Sequence, residues 1–174
     1  MPEPSSAAEQ LIEQFVEHWG LMARAWGINS SMGELFALLY ITGTDWTAED
    51  LRLRLGVSRG NVSMNLRELL AWGVVHKVHR AGARRELFRA ETDVWVLFRK
   101  ILAERKRREL DPTLRVLDRA IPQVGDDPSV TELRARIEPL RRFFRLIDTL
   151  AVKLLTVPAE ELAEFDQLFD LESP

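Results

Sequence analysis

The sequence contains no cysteine, which excludes a disulfide framework and any thiolate-bound metal. Histidine is scarce, with three in 174 residues. His76 and His79 stand three apart in a predicted strand, which sends them to opposite faces, and His18 is remote, so no metal site is expected. No apolar run reaches the roughly 18 residues of a transmembrane helix. Residues 1–10 are polar and include Pro2 and Pro4, unlike the basic-then-apolar pattern of a secretion signal. A cytoplasmic location is the expectation. There is no glycine-rich phosphate loop and no nucleophile–base pair. Glu160, Glu161, Glu164, Asp166 and Asp170 recur at helical spacing and read as the wet face of a last helix. Neither an enzyme nor a bound cofactor is expected. Apolar residues at 46% and charged residues at 29% are ordinary for a soluble globular chain, and the length suits one large domain or two small ones.

Charge is present but unevenly placed. The net charge is −3, which on its own argues against a nucleic-acid ligand. Residues 52–108, however, hold 15 Lys/Arg and 5 Asp/Glu, a local charge of +10, while the remainder holds 9 basic and 22 acidic groups, or −13. Segregation on this scale suggests a basic working face on an acidic body. A charge run is usually only a solvated face, so the partition gains weight from the pattern beneath it.

That pattern is a helix-turn-helix followed by a hairpin, over residues 47–90. Its centre reads Gly56-Val57-Ser58-Arg59-Gly60-Asn61-Val62-Ser63-Met64-Asn65-Leu66-Arg67-Glu68-Leu69. Gly56 can take the positive φ that lets one helix stop and the next begin within a few residues. Ser58 is a good N-cap for the second helix. Val62, Leu66 and Leu69 recur at helical spacing and predict a buried face. Arg59, Asn61, Ser63, Asn65 and Arg67 are then expected in water, carrying the guanidinium, amide and hydroxyl groups that read base edges and phosphates. Gly73 sits where a helix-ending glycine belongs. Residues 74–79 are β-branched and read as a strand, Arg80-Ala81-Gly82-Ala83-Arg84 as a turn, and residues 85–90 as the returning strand of a wing.

The rest of the chain reads as helix. In residues 7–26, Leu11, Ile12, Phe15, Val16, Trp19, Met22 and Ala23 repeat at three- and four-residue spacing. Ser31-Met32-Gly33-Glu34 is a capping-box pattern before the apolar residues 35–41, and Gly43 ends that helix. Thr47 caps a short helix through Leu55. Thr92-Asp93 caps a long helix to residue 110, which Asp111-Pro112 is expected to stop before another starts. After a loop at 124–128, a helix is expected over 129–156 with a kink at Pro139, then an amphipathic segment at 159–171. The plan is mainly α with one β-hairpin.

On these residues the chain resembles the winged helix-turn-helix regulators of the MarR (multiple antibiotic resistance regulator) superfamily. The string from Arg59 to Leu69, followed by Trp72-Gly73-Val74-Val75, looks like the branch containing the glycine betaine synthesis repressor, the GbsR-like branch. Arg52 departs from it, standing where such motifs usually place a small residue against the second helix; an arginine can snorkel outward there. The resemblance implies a homodimeric transcription regulator, a repressor, whose N- and C-terminal helices build the dimer interface. Residues 1–28 would be an N-terminal dimerisation helix, 29–92 the winged helix-turn-helix, and 93–174 a C-terminal helical dimerisation region. Each recognition helix would enter a major groove, with two of them about 34–36 Å apart, one DNA turn.

Arg59, Asn61, Ser63 and Asn65 are the direct-readout candidates, with Ser58 at the helix start. Arg favours guanine and Asn adenine through paired hydrogen bonds, each worth about 1–3 kcal/mol of discrimination. Arg67, further along, suits phosphate or an intramolecular acid. Arg80, Arg84 and Arg85 surround the glycine turn and suit phosphate or minor-groove contact, an ordinary charged hairpin tip being the plain alternative. The run Arg105-Lys106-Arg107-Arg108 points around a whole helical turn, so it cannot all face DNA; a helix-dipole role and a phosphate role stand level. Trp19, Trp26, Phe36, Tyr40 and Trp95 could bind a quaternary ammonium effector such as choline by cation–π attraction, a direction the branch resemblance shares, although aromatic stripes more often form core. The expected partners are double-stranded DNA, a second copy and a small-molecule effector. A winged helix-turn-helix that binds an acidic protein, without specific DNA binding, is the alternative, since fold does not fix function.

Overall fold

The structure, a computed structural model, describes residues 7–82, 85–120, 128–158 and 161. Arg84, the loop at 124–127 and, apart from residue 161, the expected last helix lie outside the described residues. The element order is α1 (Ala7–Ala25), α2 (Ser30–Thr42), β1 (Trp46–Thr47), α3 (Ala48–Leu55), α4 (Arg59–Trp72), β2 (Val75–Val78), β3 (Leu87–Ala90), α5 (Val94–Arg105), a π-helical turn (Lys106–Leu110), α6 (Asp111–Ala120) and α7 (Pro128–Thr156). Two compact units result, Met1–Leu97 and Phe98–Pro174, and the division falls inside α5.

The first unit is built around α2, whose Leu35, Ala37, Leu38 and Leu39 are buried together with Leu51 of α3, Val62, Leu66 and Leu69 of α4, and Phe88 of β3. Removing a Leu, Val or Phe side chain of this kind from water contributes roughly 1.5–3 kcal/mol. Helix α1 crosses α2 closely: a Cβ on Gly33 would lie 2.6 Å from the Ala23 Cβ and 2.8 Å from the Trp19 carbonyl oxygen. The N-terminal helix, divided from the winged helix-turn-helix in the sequence reading, thus packs inside the same unit. Its successor starts earlier than expected. The cap of α2 is Asn29, whose side chain accepts from the Ser31 N–H at 2.9 Å, so the expected box from Ser31 to Glu34 lies within the helix.

The hairpin gains a third strand. The sheet order is β1-β3-β2, antiparallel throughout, with Trp46 opposite Phe88 and Val75 opposite Ala90. Two residues are too few to show alternation, so β1 leaves no periodic trace in the sequence.

In the second unit, Asp111-Pro112 does not stop the helix. The Asp111 N–H reaches the Lys106 carbonyl, five residues back, and the chain stays helical through to Ala120. Proline lacks an N–H and its ring crowds the carbonyl four residues earlier in a regular helix; the wider π turn relieves both demands. Pro139 likewise lies inside α7 without ending it. Arg141 and Arg145 of α7 reach Asp118 of α6 at 3.3 and 2.8 Å. Leu133, Leu140, Phe143, Ile147, Leu150 and Leu154 are exposed along α7, at the seven- and three-to-four-residue spacing of a helix-pairing seam.

Candidate nucleic-acid interface

Short-range bonds set the helix-turn-helix. The Thr47 hydroxyl accepts from the Asp50 N–H at 3.1 Å, starting α3. Gly56 ends it at φ 64°, a left-handed conformation that favours glycine. The Ser58 hydroxyl then accepts from the Asn61 N–H at 3.2 Å and starts α4. Val62, Leu66 and Leu69 form the buried face, as expected. On the outer side Arg59, Ser63 and Arg67 are exposed, and their four-residue spacing puts them on one line. The Arg59 side chain is 84% exposed.

The two asparagines depart from the expected wet face. Asn65 is only 2% exposed, and its Nδ2 donates to Asn61 Oδ1 at 2.9 Å. Asn61 is half-buried and donates in turn to Ser31 Oγ at 3.4 Å. The amides therefore brace α4 against α2, and Asn65 is withdrawn from the surface. The signal was present in the spacing: Asn65 stands three residues after Val62 and four before Leu69, within the apolar stripe. Sorting the helix by residue chemistry rather than by angle hides it.

The wing arginines divide in a similar way. Arg80 Nη2 lies 2.6 Å from Asp45 Oδ2, an ion pair without hydrogen-bond alignment, while Arg89 Nε donates to Asp45 Oδ1 at 2.6 Å. The Asp45 side chain is 4% exposed, and the Arg89 guanidinium, followed by Arg80, holds its carboxyl below the usual carboxylate range. Arg80 is thus anchored at the base of the wing. Asp45, separated from both arginines by dozens of residues, was not legible in the sequence. Across the hairpin Lys77 and Glu86 pair at 2.6 Å.

Arg85 is exposed and borders a groove of about 400 Å³ shared with Thr47, Glu49, Arg52, Arg59 and Ser63. At its floor, Glu49 accepts two hydrogen bonds from Arg52, at 3.1 and 2.8 Å. Arg59 Nε is 3.6 Å from Glu49 Oε2. The Arg52 hydrogen bond, with the nearby charges of Arg59 and Arg85, holds the Glu49 carboxyl below its ordinary range. Arg52 is half-buried and lines this groove beside residues of α4, so it joins the site although the sequence reading left it out.

The run Arg105-Lys106-Arg107-Arg108 is neutralised within its own unit. Arg105 pairs with Glu109 at 2.9 Å, and Lys106 with Asp111 at 2.5 Å and Asp148 at 2.8 Å. Arg107 and Arg108 both converge on Glu104, which is almost wholly buried. Asp111 and then Asp148 raise the Lys106 ammonium, and the Arg107 hydrogen bond leads in lowering the Glu104 carboxyl. Of the expected effector aromatics, Trp19, Tyr40 and Phe36 join Phe15 in one stacked row between α1 and α2. Its ring centroids are 4.3 Å (Phe15–Trp19), 6.4 Å (Phe15–Tyr40) and 5.8 Å (Phe36–Tyr40) apart. Trp26 lies exposed beyond α1, and Trp95 is half-buried on α5. Among the described residues, no group of three or more His, Asp or Glu could hold a metal, and no helix is long and apolar enough to cross a membrane.

The segment that builds this surface also matches a known family: residues 26–86 fit the model of the MarR family. In the structure this stretch carries the helix-turn-helix and the first strand of the wing. Over a longer stretch the chain is similar to Bacillus subtilis YvaV, assigned as an HTH-type transcriptional regulator. That likeness is 24% identity over 162 residues, covering 85% of this chain and 89% of YvaV. The HTH-type transcriptional repressor OpcR of B. subtilis is 27% identical over 56% of this chain and 50% of its own. The HTH-type transcriptional repressor GbsR of the same organism is 24% identical over 66% and 63%. A crystal structure of a transcriptional regulator shares the fold, with a TM-score of 0.63 at 23% identity over 83% of this chain and 95% of that one. Within the matched stretch α4 is the second helix of the helix-turn-helix and β2 the first strand of the wing, and β3, just past the match, completes the wing.

Proposed function

We propose that this protein is a homodimeric, sequence-specific DNA-binding transcription regulator, acting as a repressor in the GbsR-like branch. The observation that carries the reading is the exposed line of Arg59, Ser63 and Arg67 on a helix whose opposite face is locked into the core. Such a helix offers donors and acceptors to base edges from a rigid support. Ser58 and Arg67 flank the readout, Asn61 contributes from the half-buried edge, and Arg85 with Arg84 serves the flanking backbone. The match of residues 26–86 to the MarR family supports the same reading.

The exposed apolar seam of α7 supports pairing with a second copy. Two copies bring two α4 helices to one pseudo-palindromic site. A small-molecule effector would release the DNA by preferring a dimer geometry that no longer fits it; equal affinity for both geometries would shift nothing.

A mobility-shift assay with DNA from just upstream of its own coding sequence tests the readout. A specific complex is expected at physiological salt, weakened by Arg59→Ala with Asn61→Ala. No specific complex, or a double variant that binds like the parent, overturns it. Sedimentation equilibrium should give twice the 20.0 kDa chain mass, and Phe143→Asp should shift it toward one. Calorimetry with choline tests the effector, and no heat at millimolar ligand removes that candidate.

A further inference from the structure

We infer that the groove between α3, α4 and the wing is a seat for one DNA backbone phosphate, held by Arg52 and Arg85, and that Glu49 occupies it in the absence of DNA as an internal surrogate. This deepens the DNA-binding reading above and rests on it.

Three guanidiniums from three separate places in the chain line this groove: Arg52 of α3, Arg59 of α4 and Arg85 two residues before β3. Two carboxylates accompany them, Glu49 and Glu86. Glu86 is engaged by Lys77 at 2.6 Å, which leaves Glu49 as the anion facing the arginines. Glu49 takes the Arg52 fork with both oxygens, at 3.1 and 2.8 Å. This is the two-point geometry in which a guanidinium grips carboxylate and phosphate alike.

The hold on Arg59 is looser, an ion pair at 3.6 Å on a side chain that is 84% exposed. Glu49 itself is one-third exposed, so an incoming phosphate can reach the pair and replace the carboxylate. On exchange, Arg52 keeps an anion, Arg85 gains one, and Arg59 is released toward the bases. Binding at this point is therefore a swap of one anion for another. The carboxylate offsets part of the attraction, and it does so for any DNA sequence.

The test is titration of the full-length protein with a random-sequence 30-bp duplex and with its upstream DNA across a salt series. Glu49→Gln keeps the side-chain size and removes the charge. Its affinity for the random duplex should rise about fivefold, and the slope of log K against log salt should steepen by about 0.9, one phosphate's worth. Adding Arg52→Gln should return both values toward the parent. Arg85→Gln, at an exposed position, should flatten the slope and weaken both duplexes alike, as a phosphate contact does. It keeps the question open to measurement should Glu49→Gln fold poorly.

A folded Glu49→Gln with parental affinity and slope would overturn the proposal and leave the DNA-binding reading standing. An Arg85→Gln variant with an unchanged slope would overturn it together with the backbone role given to Arg85 above, and leave the readout by α4 standing. Gain of inorganic phosphate binding by Glu49→Gln without gain of duplex binding would also overturn it. If the parent binds no duplex even at 50 mM salt, the reading and the proposal fall together.

Discussion

The chain carries two concentrations of basic charge, one on α4 with the wing and one at Arg105–Arg108, and their counter-charges are arranged differently. Every member of the Arg105–Arg108 run meets a carboxylate of its own unit, with Glu104 taking two arginines. On α4, Arg59 touches its carboxylate only at 3.6 Å and is 84% exposed, and Arg67 stands in solvent. Even the wing is mixed, since Asp45 anchors Arg80 while Arg85 borders the open groove. Basic density alone therefore does not mark a binding surface. What marks it is arginine whose counter-charge is missing, distant or replaceable.

Salt gives the strongest means of breaking this contrast. If α4 and the wing of a dimer meet roughly 6–10 phosphates, affinity should fall about 10³–10⁵-fold between 50 and 200 mM salt, as measured by fluorescence anisotropy; a flat response would place the arginines elsewhere. Next comes a paired substitution. Arg59→Ala should cost about 1–3 kcal/mol of specific binding, roughly 5- to 150-fold. Arg107→Ala should leave DNA affinity unchanged and show only in thermal stability. Equal losses of affinity from the two would erase the distinction.

Asn65→Ala sharpens it from the inside. Removing a buried amide that braces Asn61 should cost about 1–3 kcal/mol of folding stability, read by urea denaturation, with weaker DNA binding only through loosened α4. Gly60→Ala should have a smaller effect. A Cβ there meets nothing within 4 Å, so the helix should gain about 0.5–1 kcal/mol. A gain in stability joined to a loss of DNA affinity would mean that DNA comes close to α4 at that turn.

The gentlest probe is acid. The Glu104 and Asp45 carboxyls are both lowered by arginine partners. Their pairs therefore contribute stability above the ordinary carboxylate range, about pH 4, and lose it as pH falls through the lowered folded values. The melting temperature should be level near neutrality and decline below that range. Glu104→Gln should remove only that residue's share of the decline, since Asp118 and Glu138 of the same unit are also lowered by arginine partners.

Much of the fold was legible because its signals are local. Thr47, Ser58 and Asp93 each cap the N–H three residues ahead, and Gly43, Gly56 and Gly73 each end a helix with positive φ. The spacing of Val62, Leu66 and Leu69 was enough to predict the buried face of α4. Other features had no such trace. β1 exists only because β3 lies beside it, and the π turn before Pro112 only because a helix can widen rather than break there.

By itself, then, the sequence determined where α3 and α4 start and stop, which face of α4 is apolar, and that the basic charge is concentrated. Those properties depend on neighbours within a turn or two of chain. Tertiary structure alone decided which basic groups meet a partner beyond their own helical turn. Arg80 meets Asp45, Lys106 meets Asp148, and Arg85 shares a groove with Arg52 and Glu49. These partners are far apart in the chain, and charge compensation depends on distance in space, which only the folded packing sets.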